Sequence, residues 1–455
     1  MILPAPIMKL KLLFLAAAVF WTGGPVAFAK TPAKLNVILI LADDFGFEAV
    51  GANGGQSYKT PTLDRLAATG MRFENCHVQP LCTPTRMQLM TGLYNVRNYE
   101  KFGFMDPASK TFANVFHDAG YTTAIVGKWQ LGQDLSLPKR WGFDEYCLWQ
   151  LMRRPERYRN PGLEINGREV NYTNAEYGPD LVNQYALDFI TRNKEQPFLL
   201  YYPMILTHDP FVPTPDSADY NDEKVKRTGR DAHYFGGMAS YADKMVGRIV
   251  AKLDELKLRE NTLILFLGDN GTSPSVTSQF RGLPYQGGKG LRTRNGTHVP
   301  LIANLPKTIP AGSVNPNLVD STDFLVTICD AAGLTLPKAM TTDGQSFWPQ
   351  LQGKQGLPRQ WSYCWYSRNG DLQFEFAQDL NFKLYRDGNF VAVISDHEEQ
   401  PLTTELTAEA AKAKTELGKV LAQYSKVRPA NLKKFEPVGT QDKAKRKKRL
   451  AREDE

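Results

Sequence analysis

The sequence predicts an α/β fold: a mostly parallel central sheet with helices on both faces, then a smaller C-terminal antiparallel sheet with a closing helix. Three observations carry this. Continuous apolar runs rich in Val, Ile and Leu, such as residues 35–41 and 197–204, read as strands buried on both faces. Helical segments alternate with those runs, the pattern of a parallel sheet. Beyond about residue 335, short strands follow one another closely instead.

In chain order, the run 35–41 ends at Asp43-Asp44. Thr60-Pro61 starts a helix as cap and first-turn proline, and Gly70 closes it. A helix follows Cys82, and another spans about 111–119, ended by Gly120. The strand 121–126 then delivers Gly127-Lys128. Residues 130–180 are rich in Arg, Pro, Tyr and Asn without sustained period and read as loops. The segment 180–193 reads as a helix, and the strand 197–204 leads to His208. After a polar, Pro-rich stretch at 210–231 comes a long amphipathic helix at 234–256. A strand at 262–267 ends at Asp269-Asn270. The glycine-rich stretch 282–296 reads as a loop, 299–303 as a strand and 323–332 as a helix. Short strands at 362–366, 382–385 and 390–394 and a helix at 403–424 complete the chain. The expected organisation is a signal segment at 1–29, a catalytic domain at 30–334, a C-terminal subdomain at 335–425 and a basic, disordered tail at 426–455.

Lys9 and Lys11 precede an apolar run at 12–21, and Ala27-Phe28-Ala29 offers small residues for cleavage. That is a secretory signal whose core is too short to span a bilayer, so the expected location is periplasmic or secreted, with no membrane span. The net charge of +7 is concentrated at the ends, because residues 426–455 alone carry eleven Lys/Arg against five Asp/Glu. The rest of the mature chain is near neutral, so no nucleic-acid partner is expected. Five cysteines, at 76, 82, 147, 329 and 364, leave an odd thiol in an exported protein.

The residues that carry chemistry fall at strand ends. Asp43-Asp44, Lys128, His208 and Asp269-Asn270 each follow a predicted strand, and the carboxyl edge of an open α/β sheet is where ligands bind. Asp43, Asp44, Asp269 and Asn270 offer only oxygen, which suits calcium or magnesium rather than zinc. In Cys82-Thr83-Pro84-Thr85-Arg86, the proline fixes a helix start beside a cysteine and a fixed cation, a setting that favours an anionic group.

That pentapeptide, with Met90-Thr91-Gly92, resembles the signature of the formylglycine-dependent sulfatases, arylsulfatase-like members of the alkaline phosphatase superfamily. Further pieces of the family follow in order: Ala42-Asp43-Asp44, Gly127-Lys128-Trp129, Thr207-His208-Asp209-Pro210, Gly268-Asp269-Asn270-Gly271 and Gly288-Lys289-Gly290. The resemblance implies that Cys82 is oxidised to formylglycine by a formylglycine-generating enzyme and hydrated to a gem-diol. It implies calcium, with magnesium as the alternative, held by Asp43, Asp44, the converted Cys82, Asp269 and Asn270. It further implies that Arg86 holds the formylglycine, Asp269 helps take its proton, Lys128 and Lys289 contact the sulfate, and His208 with Lys289 assists the leaving alcohol. The expected substrate is a sulfated carbohydrate or an aryl sulfate.

Two departures stand out. Gln130 occupies the place of the family's usual histidine, and an amide can hydrogen-bond but cannot act as a base. Arg292 and Arg294 add cations near the expected mouth, where they suit either a second anionic group of the substrate or plain exposed loop positions, and Gln130 joins them on the substrate side. Trp141, Tyr146, Trp149, Tyr158, Tyr172 and Tyr177 fall in the expected loops and suit either stacking on sugar rings or local packing. Two other functions fit the same residues: a phosphonate monoester hydrolase or phosphodiesterase of the same superfamily, and a sulfate-ester-binding protein whose turnover Gln130 impairs.

Overall fold

A computed structural model describes Met1 and residues 34–432, apart from 226, 229, 230, 369–371 and 404. The expected signal beyond Met1, and the tail after 432, lie outside the described residues. The described residues from 34 to 432 belong to one compact unit.

In chain order the strands are β1 (Asn36–Ala42), β2 (Met71–His77), β3 (Thr122–Lys128), β4 (Glu145–Trp149), β5 (Gly162–Ile165), β6 (Arg168–Asn171), β7 (Phe198–Pro203), β8 (Thr262–Gly268), β9 (Thr277–Phe280), β10 (Leu283–Gln286), β11 (His298–Asn304) and β12 (Ser313–Asp320). Among the described residues, all but the β9–β10 hairpin form a ten-stranded sheet in the order β12-β2-β11-β8-β1-β7-β3-β4-β5-β6. The centre of the sheet is parallel, and the antiparallel pairings are those of β11 with β2 and β8, β4 with β5, and β5 with β6.

β1 explains why the sheet is covered on both faces. All seven of its residues are buried. Val37, Leu39 and Leu41 feed one core, while Ile38, Ile40 and Ala42 feed the other, as the two-residue period of a strand requires. Parallel register then levels the carboxyl ends: Ala42 pairs with Gly268, Leu41 with Pro203, and Lys128 with Trp149. The loops that leave these ends form the crevice.

The C-terminal sheet comprises β13 (Ser362–Ser367), β14 (Leu372–Gln378), β15 (Phe382–Tyr385), β16 (Phe390–Val393) and β17 (Glu399–Pro401), all antiparallel. Helix Ala408–Tyr424 closes it, with Tyr424 stacked on Tyr363 at 4.5 Å between ring centres.

The expectation of loops over 130–180 is corrected. β4 extends the sheet beside β3, and β5–β6 is a hairpin turned by Asn166 (φ 48°) and Gly167 (φ 89°). Asn-Gly is the pair favoured in a two-residue turn with both φ positive. The aromatics of this region belong to the packing. Trp141, Tyr146, Trp149, Tyr158 and Tyr177 are buried, and Trp141 stacks on Trp129 at 5.1 Å. β2 and β12 had no sequence counterpart, because β2 alternates apolar with polar side chains and β12 carries Pro316 at an irregularity. The 282–296 stretch is also less irregular than expected, since it contains β10 and the short helix Arg294–Thr297. All five cysteines are buried free thiols.

Candidate active site

Helix Cys82–Thr91 begins at the crevice with Cys82 as its first residue, and all ten of its side chains are buried. Cys82 Sγ donates to Gln130 Oε1 at 2.9 Å. Gln130 sits just past the end of β3 with φ 57°, a left-handed conformation that costs a residue with a Cβ about 1 kcal/mol or more. Two bonds hold the helix start against this turn: Thr83 Oγ1 donates to Gln130 O at 3.3 Å, and Arg86 Nη1 to Lys128 O at 3.0 Å.

The second left-handed residue is Asp44, also at φ 57°. Its N–H donates to Asp269 Oδ1 at 3.0 Å, which ties the loop after β1 to the loop after β8. Thr207 Oγ1 donates to Asp43 O at 3.1 Å, which ties in the loop after β7. One ligating atom each from Asp43, Cys82 and Asp269 lies within 4.8 Å of the others, and the same holds for Asp43, Asp44 and His208. Four segments distant in sequence therefore meet in one place.

Three cations match the three carboxylates. Lys128 Nζ lies 2.8 Å from Asp43 Oδ2, Lys289 Nζ 2.7 Å from Asp44 Oδ2, and Arg86 Nη2 3.0 Å from Asp269 Oδ2. Asp43, Asp44, Asp269, Asn270, Arg86 and Lys128 are all essentially inaccessible. Lys289 and His208 keep 18% and 14% of their side-chain surface, so the cluster is open to solvent on their side. His208 Nδ1 lies 2.6 Å from Asp209 Oδ1, and its Nε2 lies 3.9 Å from Asp44 Oδ2.

Burial and neighbours push the two central carboxyls apart. Burial lifts Asp269 up to about 7, reinforced by Asp43 and opposed by Arg86 and Lys128. Burial works against Asp43 too, but Lys128 and then His208, Arg86 and Lys289 hold it well below the usual carboxylate range. The Cys82 thiol is raised by burial, and His208 is lowered by burial and by Lys289.

The donor set fits a hard cation. Asn270 spends its Nδ2 on Asp44 Oδ1 and Gly271 O, while its Oδ1 is buried with no hydrogen-bond partner among the described residues. A buried amide oxygen without a donor, beside three carboxylates, is the arrangement an oxygen-seeking divalent ion satisfies.

Arg292 and Arg294 lie further out, against the C-terminal sheet. The Arg292 guanidinium sits 4.7 Å from the Tyr385 ring centre, and Arg294 Nη2 donates to Asp379 O and Leu380 O, both at 2.8 Å. Sequence reasoning missed two supporting groups. Glu48 accepts from Thr272 Oγ1, which in turn accepts from Gly46 N at 3.0 Å, so the pair braces the loops carrying Asp44 and Asp269. Tyr158 donates to Ile205 O at 3.0 Å and also to His208 O. Thr272 adjoins the Asp269-Asn270-Gly271 motif and could have been found from it; Glu48 and Tyr158 carry no local signal.

A crevice of fixed cations around a side chain at a helix start, with carboxylates poised for a divalent ion, defines a hydrolase of anionic esters. A family model described as Sulfatase matches residues 35–334, and one described as N-sulphoglucosamine sulphohydrolase, C-terminal, matches residues 289–403. N-acetylgalactosamine-6-sulfatase of Canis lupus familiaris is 30% identical over 389 residues, covering 75% of this chain and 71% of that protein. Steryl-sulfatase of Homo sapiens is 27% identical over 449 residues, covering 77% and 74%. Among solved structures, Ps i-CgsB superposes with a TM-score of 0.75 at 25% identity, covering 92% of this chain and 99% of that one. The chain belongs to the sulfatase family, the sulfuric ester hydrolases of the alkaline phosphatase superfamily.

Proposed function

We propose that the protein is an exported sulfatase that removes sulfate from carbohydrates, with residue 82 converted to formylglycine and a calcium ion bound beside it. The observation that carries this is the approach of the Cys82 side chain to Asp43 and Asp269 within 4.8 Å, in a crevice otherwise built of fixed charges. Carbohydrate is supported by the relatives: N-acetylgalactosamine-6-sulfatase is named for a sulfated sugar, and Ps i-CgsB is also known in complex with a neocarrahexaose. Export is supported by the Lys9, Lys11 and apolar 12–21 pattern.

Asp43, Asp44, Asp269 and Asn270 would hold the cation, with magnesium as the alternative, and its bound charge would offset that of the sulfate oxygens. Formylglycine at position 82 would supply a hydroxyl nucleophile together with a second hydroxyl through which sulfate is released. The chain's own residues do the rest. Lys128 and Lys289, whose ammoniums face Asp43 and Asp44, would contact the ester's sulfate oxygens. Arg86, clamped between Lys128 O and Asp269, fixes the helix that carries residue 82. Asp269, whose carboxylate lies beside residue 82, would take a proton from a hydroxyl there. His208 and Lys289, on the open side, donate a proton to the departing alcohol. Gln130 Oε1 accepts a hydrogen bond from residue 82 and orients it without taking its proton.

The test is a panel of sulfated mono- and oligosaccharides, 4-nitrophenyl sulfate and aryl phosphate and phosphonate esters, run on protein made with a formylglycine-generating enzyme. Mass spectrometry of the Cys82 peptide accompanies it. Sulfate release that rises with the converted fraction is expected. Preference for phosphonate or phosphate esters would overturn the reading, and so would full conversion without sulfate release from any member.

A further inference from the structure

Beside the catalytic crevice lies a cavity of about 230 Å³ that the chemistry described so far leaves unused. One wall is the segment after β4, held to residues 176–178 by an antiparallel bridge between Arg159 and Tyr177, by Asn160 N to Glu176 O at 3.0 Å and by Gly178 N to Tyr158 O at 2.7 Å. The opposite wall is Val212, Pro213 and Tyr220, on the segment that continues from His208. Tyr158 joins the two sites: its ring lines the cavity, and its hydroxyl donates to His208 O. The cavity is therefore about one tyrosine ring away from the backbone of a residue on the open side of the crevice.

The Glu156 carboxylate lines the cavity beside two guanidiniums, Arg159 and Arg227, which leaves an excess of positive charge. Arg159 Nη1 donates to Tyr220 O at 3.1 Å and to Asn221 Oδ1 at 3.2 Å, and Arg227 Nη2 donates to the same Tyr220 carbonyl. Both guanidiniums flank the Tyr220 ring, at 5.0 and 5.6 Å from its centre. Two like charges thus converge on one carbonyl and one ring, and among the described residues neither forms an ion pair with a carboxylate. Tyr177, 96% buried and lining the cavity, has a hydroxyl with no partner among the described residues. Paired guanidiniums with unspent N–H groups bind planar anions in fork geometry. Aromatic walls and a volume below the usual range of about 300–1,000 Å³ for drug-sized ligands suit a single sugar ring.

We propose that this cavity is a subsite for an anionic sugar unit, a uronate or a sulfated sugar, neighbouring the residue whose sulfate is removed, and that Arg159 and Arg227 recognise its anionic group. The proposal rests on the sulfatase reading and narrows its substrate to oligosaccharides that carry a second negative charge.

Binding read without turnover tests it. The probes are an unsulfated chondroitin tetrasaccharide for the carboxylate, a sulfated neocarratetraose for the sulfate, and cellotetraose as the neutral control, titrated calorimetrically into the full chain. The wild type is expected to bind at least one anionic probe. The Arg159→Gln, Arg227→Gln double variant should weaken that binding about tenfold or more, as loss of charge-assisted hydrogen bonds implies, with its thermal midpoint unchanged. Arg159→Lys, which keeps the charge but not the fork, should also weaken it and serves if the double variant does not fold. Equal binding of cellotetraose, or anionic binding untouched by both variants, overturns the proposal. A protein that binds the probe through these arginines yet cleaves no sulfate ester contradicts the reaction assigned to the crevice, and not the cavity.

Discussion

Glu48 offers the sharpest quantitative prediction. It is buried beneath the crevice, accepts from Thr272 Oγ1, and its carboxyl is pushed by burial from 4.5 to about 7. The folded protein therefore keeps this proton where the unfolded chain has already lost it. Stability from this group is complete below about 4.5 and is lost as pH rises through about 7. At about 1.4 kcal/mol per pH unit, the gap between the two values amounts to about 3 kcal/mol once Glu48 is forced to ionise in place. Glu48→Gln removes the charge and keeps an acceptor for Thr272. It is expected to stand within about 1 kcal/mol of the parent at pH 5 and to exceed it by up to about 3 kcal/mol at pH 8. Urea unfolding of both proteins at pH 5, 6.5 and 8 measures this, and the difference between them cancels the similar trend from Asp269. A pH-independent difference, or a variant less stable than the parent at pH 8, would refute the reasoning.

Arg86→Met should be the most damaging single change in the crevice, since it leaves Asp269 buried without its guanidinium; the expected cost is about 3–5 kcal/mol, read as a fall in urea midpoint or a loss of soluble protein. Calcium should raise the thermal midpoint, by the equivalent of about 2.7 kcal/mol at a hundredfold excess over its Kd. Asp44→Asn should shrink that shift, and a chelator should abolish sulfate release. Gln130→His replaces an amide with a titratable ring next to residue 82, so the kcat profile should gain a further ionisation near the imidazole range of about 6.5, in addition to those of Asp269 and His208 that the parent already carries. Superimposable profiles would mean that position 130 does not handle the proton.

Strands buried on both faces announce themselves as continuous apolar runs, so β1, β3, β7 and β8 were legible, and with them the residues at their carboxyl ends. β4, β5 and β6 were not, because EYCLW is short and its neighbours are full of Arg, Pro and Asn, although Asn166-Gly167 was a hairpin signal in plain view. The aromatics there were ambiguous for the same reason. Whether Trp149 meets a sugar or a core depends on its pairing with Lys128, a partner 21 residues away.

The chain by itself determined which chemical groups arrive at the carboxyl edge of the sheet, since each follows its own strand and a strand is a local pattern. Tertiary structure decided which group faces which. It paired Lys128 and Lys289 with their carboxylates, left Asn270 Oδ1 without a partner among the described residues, drew Arg294 onto the C-terminal sheet and brought Glu48 beneath the crevice. Such choices depend on register and on the angle between loops far apart in the chain, and no local period of side chains encodes either.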